Sequence, residues 1–325
     1  MSSQAPTGDE LIKLHFAQAG ARAQLVRLDH SWQQILSRHP DLSPALCGLL
    51  GQMSAASCML SASLKFNGSV MLQIHGDGPV RLAVAECNAQ MGVRATLKLR
   101  GDWQTSLPAE LLDQNEPALQ PLVNQSGQGR FSLVLDTKQP DQRPYQGIVS
   151  LNDESIAAAI ESYMGQSEQL ATRLWLAADQ HSACGLLLQQ MPLEGGHAAA
   201  EQATRYEHWE RLVMLADTLG PAEMLATPPQ ELAHRLFWEE QAMLLQSQLV
   251  QFECPCNRAR VGRMLAGLGQ NEIESILAEQ GQVLVHCDFC NNPYAFDAVD
   301  CAQLFTDLTQ SGFDQATQQG SQVKH

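Results

Sequence analysis

Four cysteines near the C-terminal end constrain this chain more than any other feature. Cys254-Pro255-Cys256 is a Cys-x-Cys pair and Cys287-Asp288-Phe289-Cys290 a Cys-x-x-Cys pair, with 30 residues between them. Two closely spaced thiol pairs suit a tetrahedral zinc ion, whose sulfur ligands converge at about 2.3 Å. The intervening residues read as a helix over 258–280 and a strand over 283–285, with few large apolar side chains. A module so poor in core folds with its metal, which contributes ~10–16 kcal/mol in small zinc domains. The pattern therefore predicts one zinc ion per chain, held by Cys254, Cys256, Cys287 and Cys290.

The same four thiols could also bond to one another. Around a zinc ion the sulfurs sit roughly 3.8 Å apart, as follows from the ~2.3 Å bond, whereas a disulfide needs about 2.05 Å. Both cannot hold at once, so oxidising either pair releases the metal and removes what folds the module. Zinc-bound thiols are already deprotonated, the form that reacts with oxidants. A purely structural zinc remains the alternative on spacing alone.

Composition sets the context. The chain has 325 residues, nine cysteines and a formal net charge of −15. That acidity argues against nucleic acid, whose phosphates need clustered Lys and Arg, and against anionic membrane surfaces. No run approaches ~18 uninterrupted apolar residues, so no membrane span is expected. The start, Met1 to Pro6, lacks the basic head and apolar run of a secretion signal. A cytoplasmic address follows, where thiols stay reduced, and Cys47 and Cys58 then read as core filling.

The fold expected is α+β: an N-terminal mixed helix-and-sheet core over 1–192, a helical acidic linker over 193–253, a small zinc-binding domain over 254–305, and a frayed tail over 306–325. Helices are expected over 30–38 and 42–64, the second with Leu46, Leu50, Met53 and Ser57 on one stripe. Strands follow around Val70–Ile74, Leu82–Val84, Val93–Leu99 and Phe131–Leu135, with Arg94, Thr96, Lys98 and Arg100 on an outer face. A capped helix from Ile156 and strands over 172–177 and 185–191 close the core. In 194–253, ten acidic residues oppose three arginines. Trp209, Leu212, Val213, Ala216 and Leu219 share one helical face that needs a partner.

With these residues in view, the chain resembles heat-shock protein 33, a redox-regulated, zinc-dependent chaperone. The likeness runs from about Glu10 to Asp300 through Leu64-Lys65-Phe66-Asn67-Gly68, Gly76-Asp77-Gly78-Pro79, Tyr145-Gln146-Gly147, Ser167-Glu168-Gln169-Leu170, Thr172-Arg173-Leu174 and the two cysteine pairs. The resemblance implies an ATP-independent holdase in the cytoplasm, without catalytic turnover, inactive while reduced and zinc-loaded. By carry-over, oxidation makes Cys254–Cys256 and Cys287–Cys290 disulfides, expels zinc, unfolds the linker and favours homodimers that hold unfolding client proteins. The face of Trp209, Leu212, Val213 and Leu219 would then shield the client surface at rest. Two departures stand out: Pro255 between the first ligands biases Cys254 toward extended backbone, and Cys301 is a further thiol near the site.

Rival classes fare worse. A zinc ribbon serving as a nucleic-acid or protein interaction module would need basic residues, yet 254–325 holds four cations against eight acids. A catalytic zinc keeps an open position with His or carboxylate ligands, and His286 abuts Cys287. His75 has no partnered nucleophile in sequence, and Gly76-Asp77-Gly78-Pro79 lacks the spacing and lysine of a phosphate loop.

Overall fold

The structure, a computed structural model, describes residues 8–64, 67–101, 103, 107–116, 118–139, 142–192 and 199–305. The expected tail at 306–325 and the opening of the linker, 193–198, lie outside these residues. The chain divides into two compact units, Met1–Glu253 and Cys254–His325.

The first unit opens with β1 (Asp9–Phe16), β2 (Ala21–Leu28), α1 (His30–Leu36) and α2 (Pro44–Ala62). A meander of β3 (Ser69–His75), β4 (Val80–Asn88) and β5 (Gly92–Leu99) leads into the short helices α3 (Ala109–Leu112) and α4 (Leu119–Val123). Then come β6 (Arg130–Asp136), β7 (Tyr145–Val149), α5 (Ile156–Ser167), β8 (Thr172–Ala178) and β9 (Ala183–Gln190). The unit ends with α6 (Ala199–Ala216), α7 (Pro221–Ala226), α8 (Pro229–Phe237), β10 (Met243–Leu249) and β11 (Gln251–Phe252).

These strands form two sheets, ordered β10-β1-β2-β9-β8 and β11-β5-β4-β3-β6-β7. All pairings are antiparallel except β11 on β5. Helix α2 lies between the sheets, packed on β3, β4 and β5 of one and on β2, β8 and β9 of the other. Pro44 at its first turn is preset for helix, and every residue after it is buried. By length and composition this helix could cross a membrane, but it is wholly enclosed in the fold. The expectation of a single apolar stripe on α2 is therefore corrected: sandwiched between two sheets, it buries all its faces. Gly51 lets it approach closely, since a Cβ there would meet the Ala178 Cβ at 2.4 Å.

In the five-stranded sheet β1, β2 and β9 send buried side chains to both faces, while the edge strand β10 is largely exposed. Leu11, Val26 and Leu28 join the core around α2. Ile12, Leu14, Phe16, Ala21, Ala23 and Leu25 face the opposite way and join the helices α6 to α8 in a second core. Helix α5 starts where the sequence placed it, with Ser155 Oγ accepting from Ala158 N at 3.2 Å.

Three local expectations are corrected. Strands β1 and β2 were not foreseen. The stretch 243–252 is extended rather than helical, because β10 zips onto β1 and β11 onto β5. Arg94 and Thr96 are buried rather than on an outer face; Arg94 Nε donates to Glu86 Oε2 at 2.9 Å, its directly opposed cross-strand partner.

The second unit contains α9 (Arg258–Leu268), α10 (Gln270–Gln280), the hairpin β12 (Val283–His286) and β13 (Pro293–Phe296), and helical residues 298–305. Its core is small: Val261, Leu265, Ile273, Val283, Phe296 and Cys301. The Arg258 guanidinium lies over the Phe296 ring at 4.3 Å and donates to Asp300 Oδ2 at 2.6 Å.

Candidate metal centre

Two backbone features bring the cysteine pairs together. Cys254 and Cys256 lie just ahead of α9, whose first turn is fixed by Asn257 accepting from Arg260 N through its side chain at 2.9 Å. Cys287 and Cys290 occupy the turn of the β12–β13 hairpin. There Asn291 N donates to Cys287 O at 2.8 Å and Cys287 N to Asn292 O at 3.0 Å. Asn291 takes φ 57°, a left-handed conformation that asparagine tolerates.

The four sulfurs all lie within 4.8 Å of one another. Cys254 Sγ is 3.7 Å from Cys287 Sγ, and Cys256 Sγ is 3.3 Å from Cys290 Sγ. These separations are near the ~3.8 Å edge expected of four thiolates around zinc and far from the ~2.05 Å of a disulfide. A soft, four-sulfur, tetrahedral donor set fits zinc, and the group could hold a metal ion. His286 is outside the group, and so is Cys301, which is buried in the small core.

The sulfurs are not equivalent. Burial pushes the thiols of Cys254 and Cys290 up. Burial acts the same way on Cys256, but a hydrogen bond from the Tyr294 hydroxyl at 3.1 Å, with the neighbouring Cys290, outweighs it and brings that thiol down. Sequence reasoning missed Tyr294. Its place on β13 beside Cys256 follows from the hairpin register, which pairs Val285 with Tyr294, and no spacing rule encodes it.

The helical face singled out in the sequence is buried. Trp209, Leu212, Val213 and Leu219 pack with Ile12, Leu14 and Phe16 in the second core of the first unit. Phe237 of α8 meets the edge of Phe16 at a ring distance of 5.1 Å. Polar contacts fasten the same helices. Arg27 Nη1 donates to Leu225 O at 2.5 Å, while Arg173 Nη2 and Trp175 Nε1 donate to Asp217 Oδ1 at 3.0 and 3.2 Å. Arg205 Nη2 donates to Gly20 O at 3.3 Å. Gly20 has φ 52°, the left-handed region that favours glycine, and a Cβ there would displace the Arg205 guanidinium from its contact with Gly20 O.

Comparison with known proteins agrees with this geometry. The model of the family described as Hsp33 protein matches residues 9–297. The 33 kDa chaperonin of Nitrosococcus oceani is 41% identical over 303 residues, covering 93% of this chain and 96% of that protein. The 33 kDa chaperonin of Chromobacterium violaceum is 42% identical, covering 91% and 94%. Among solved structures, the 33 kDa chaperonin of Thermotoga maritima, a heat shock protein 33 homologue, superposes with a TM-score of 0.74. It covers 93% of this chain and 99% of its own at 20% identity, a likeness of fold. An Hsp33 family match spanning both the two-sheet unit and the cysteine module, with curated relatives above 40% identity, means that this chain belongs to the Hsp33 family of chaperones.

Proposed function

We propose that the chain is a redox-regulated, ATP-independent holdase for unfolding proteins in the cytoplasm, without catalytic turnover. In the reduced state Cys254, Cys256, Cys287 and Cys290 hold one zinc ion, which supplies the folding energy of the C-terminal module. A peroxide oxidant takes two electrons from each pair as Cys254–Cys256 and Cys287–Cys290 disulfides form. One peroxide per pair is reduced to water with two protons, the sulfurs lose the negative charge that makes a thiolate a strong metal ligand, and a zinc ion held by Cys254, Cys256, Cys287 and Cys290 would be released. The module then loses its fold, and the linker segment that adjoins it at residue 253 loosens. Helices α6 to α8 release the sheet face of Ile12, Leu14 and Phe16 together with their own Trp209, Leu212, Val213 and Leu219. Burying such side chains contributes ~1.5–3 kcal/mol each, and once exposed they bind unfolding chains without sequence preference. The net charge of −15 limits self-aggregation of the open form, and the oxidised protein pairs as a homodimer.

The observation that carries this reading is the sulfur geometry: four thiols within 4.8 Å, spaced for a metal and too far apart for disulfides. The test exposes the reduced, zinc-loaded protein to peroxide at mildly raised temperature. Released zinc, client light scattering and hydrogen exchange around Trp209 are followed together. Zinc release and loss of protection at Trp209 are expected to accompany suppression of client aggregation. Client protection with the metal retained and Trp209 still protected would reject the proposed switch.

A further inference from the structure

Between β10 and Cys254 the chain changes sheets. Val250, buried in the core around α2, donates its N–H to Asp9 O on β1 at 3.1 Å. Strand β11 then joins the other sheet, pairing in parallel with β5 so that Gln251 faces Gly92 and Phe252 faces Val93. Gln251 N donates to Met91 O and Glu253 N to Val93 O, each at 3.0 Å. Two paired residues make a very short strand, yet the β4–β5 turn is shaped around it.

Asn88 works in two directions there. Its Oδ1 accepts from Gln90 N at 2.9 Å and Gly92 N at 2.8 Å, which sets the turn, while its Nδ2 donates to Glu253 Oε2 at 2.8 Å. Gly92 leaves room for that bond, since a Cβ there would fall 2.0 Å from Glu253 Oε2 and 2.7 Å from Asn88 Nδ2. Met91 is buried with φ 62°, a left-handed conformation that costs energy for a residue with a side chain. Strain of this kind gathers at switch regions, and the Met91 carbonyl is the one that Gln251 reaches. Arg38, just past α1, lies over the Phe252 ring at 5.6 Å.

We infer that residues 250–253 are a lock seated on the β4–β5 turn, which must open before unfolding of the cysteine module reaches β10 and helices α6 to α8. The inference rests on the redox-holdase reading and adds a threshold to it at named residues. Every group of the seat belongs to the first unit, so the lock does not need the metal to stay closed. Cys254 follows Glu253 directly, so any disturbance passing from the module to the covering helices crosses the lock first. Asn88 and Glu253 are positioning residues of the switch: they ligate nothing and set how readily the release travels.

The test compares full-length wild type, Asn88→Asp, and Asn88→Asp combined with Glu253→Gln. Asn88→Asp keeps the oxygen that the turn needs and places a carboxylate against that of Glu253, where like charges repel. Adding Glu253→Gln restores the bond, because the amide introduced there donates to the new carboxylate. Zinc is first chelated from each reduced protein, and hydrogen exchange over residues 243–253 is read by mass spectrometry. The wild type is expected to keep its protection there while α9 and α10 lose theirs. Asn88→Asp is expected to exchange at least tenfold faster over the same residues, and the double variant to return within about threefold of wild type. Zinc stoichiometry and affinity are expected to be equal in all three. Under peroxide, Asn88→Asp is expected to hold a client at least threefold sooner after zinc release. Wild-type protection over 243–253 that collapses with α9, unchanged exchange in Asn88→Asp, or no rescue by Glu253→Gln overturns the lock; the last assigns the effect to damage at the turn. Exchange after chelation involves no client, so an oxidised wild type that fails to hold clients rejects the holdase reading and is not mistaken for a failed lock.

Discussion

Tyr294 and Cys301 show how much one side chain decides around four sulfurs. The Tyr294 hydroxyl donates to Cys256 Sγ and stabilises its charged form, the form that would coordinate a metal ion. Tyr294→Phe is expected to lower zinc affinity by roughly 10-fold, the lower end of what outer contacts typically contribute. Competition with a chromogenic chelator at fixed pH measures it. Cys301 is expected to behave oppositely. Burial pushes its thiol up, leaving it protonated and slow in disulfide exchange. Cys301→Ala should cost about 1 kcal/mol of stability, the ordinary size of a core truncation. Zinc stoichiometry and the mass-mapped disulfides of the oxidised protein should not change. The clustering of the four cysteines was legible in the sequence because ligand spacing is local. Tyr294 was not, because its contact with Cys256 depends on how the hairpin registers against the chain ahead of α9.

Among the elements, what could be read from sequence followed from how many faces each one buries. The strands of the six-stranded sheet alternate apolar and polar residues, and β3 to β6 were found from that alternation. Strands β1 and β2 bury both faces, so Leu11-Ile12 and Leu25-Val26 run together and the period of two is lost. Met243 to Leu249 looked like helix-forming apolar residues, but its place is an edge strand, where exposure rather than burial follows. The same element scale governs the contact between α5, β8 and α6. Burial raises the pKa of Glu161, against the Leu174 N–H and Arg173, which lower it. A carboxyl whose folded pKa exceeds its unfolded value of 4.5 adds stability that is complete below 4.5 and lost as pH rises through the raised pKa. Glu161→Gln escapes that loss, so its melting temperature relative to wild type is expected to climb between pH 4 and pH 7 by calorimetry. Asp217→Asn weakens the contact to Arg173 and Trp175. It is expected to speed amide exchange in α6 about two- to five-fold, a change worth about 0.5–1 kcal/mol at a partly exposed ion pair.

For the whole molecule, the two units draw stability from different sources. The first has two large apolar cores on either side of a doubly covered sheet. The second has, among its described residues, a small core of six buried side chains and the cysteine cluster. Chelation of zinc from the reduced protein is therefore expected to melt α9 and α10 while α2 and the two sheets keep their exchange protection. Hydrogen exchange read by mass spectrometry distinguishes the two. Collapse of protection throughout the chain would mean that the units are not independent in stability.

The route of the chain through the five-stranded sheet has one more consequence. Helices α6 to α8 leave from β9 and return into β10, and both strands belong to that sheet. While β10 stays zipped to β1, the covering helices form a noose pinned at both ends rather than a free tail. Closing such a loop costs entropy that grows only logarithmically with its length. On the proposed switch, a lifted cover would therefore stay near its seat, compete with whatever had landed there, and evict it once the cysteine module folded again.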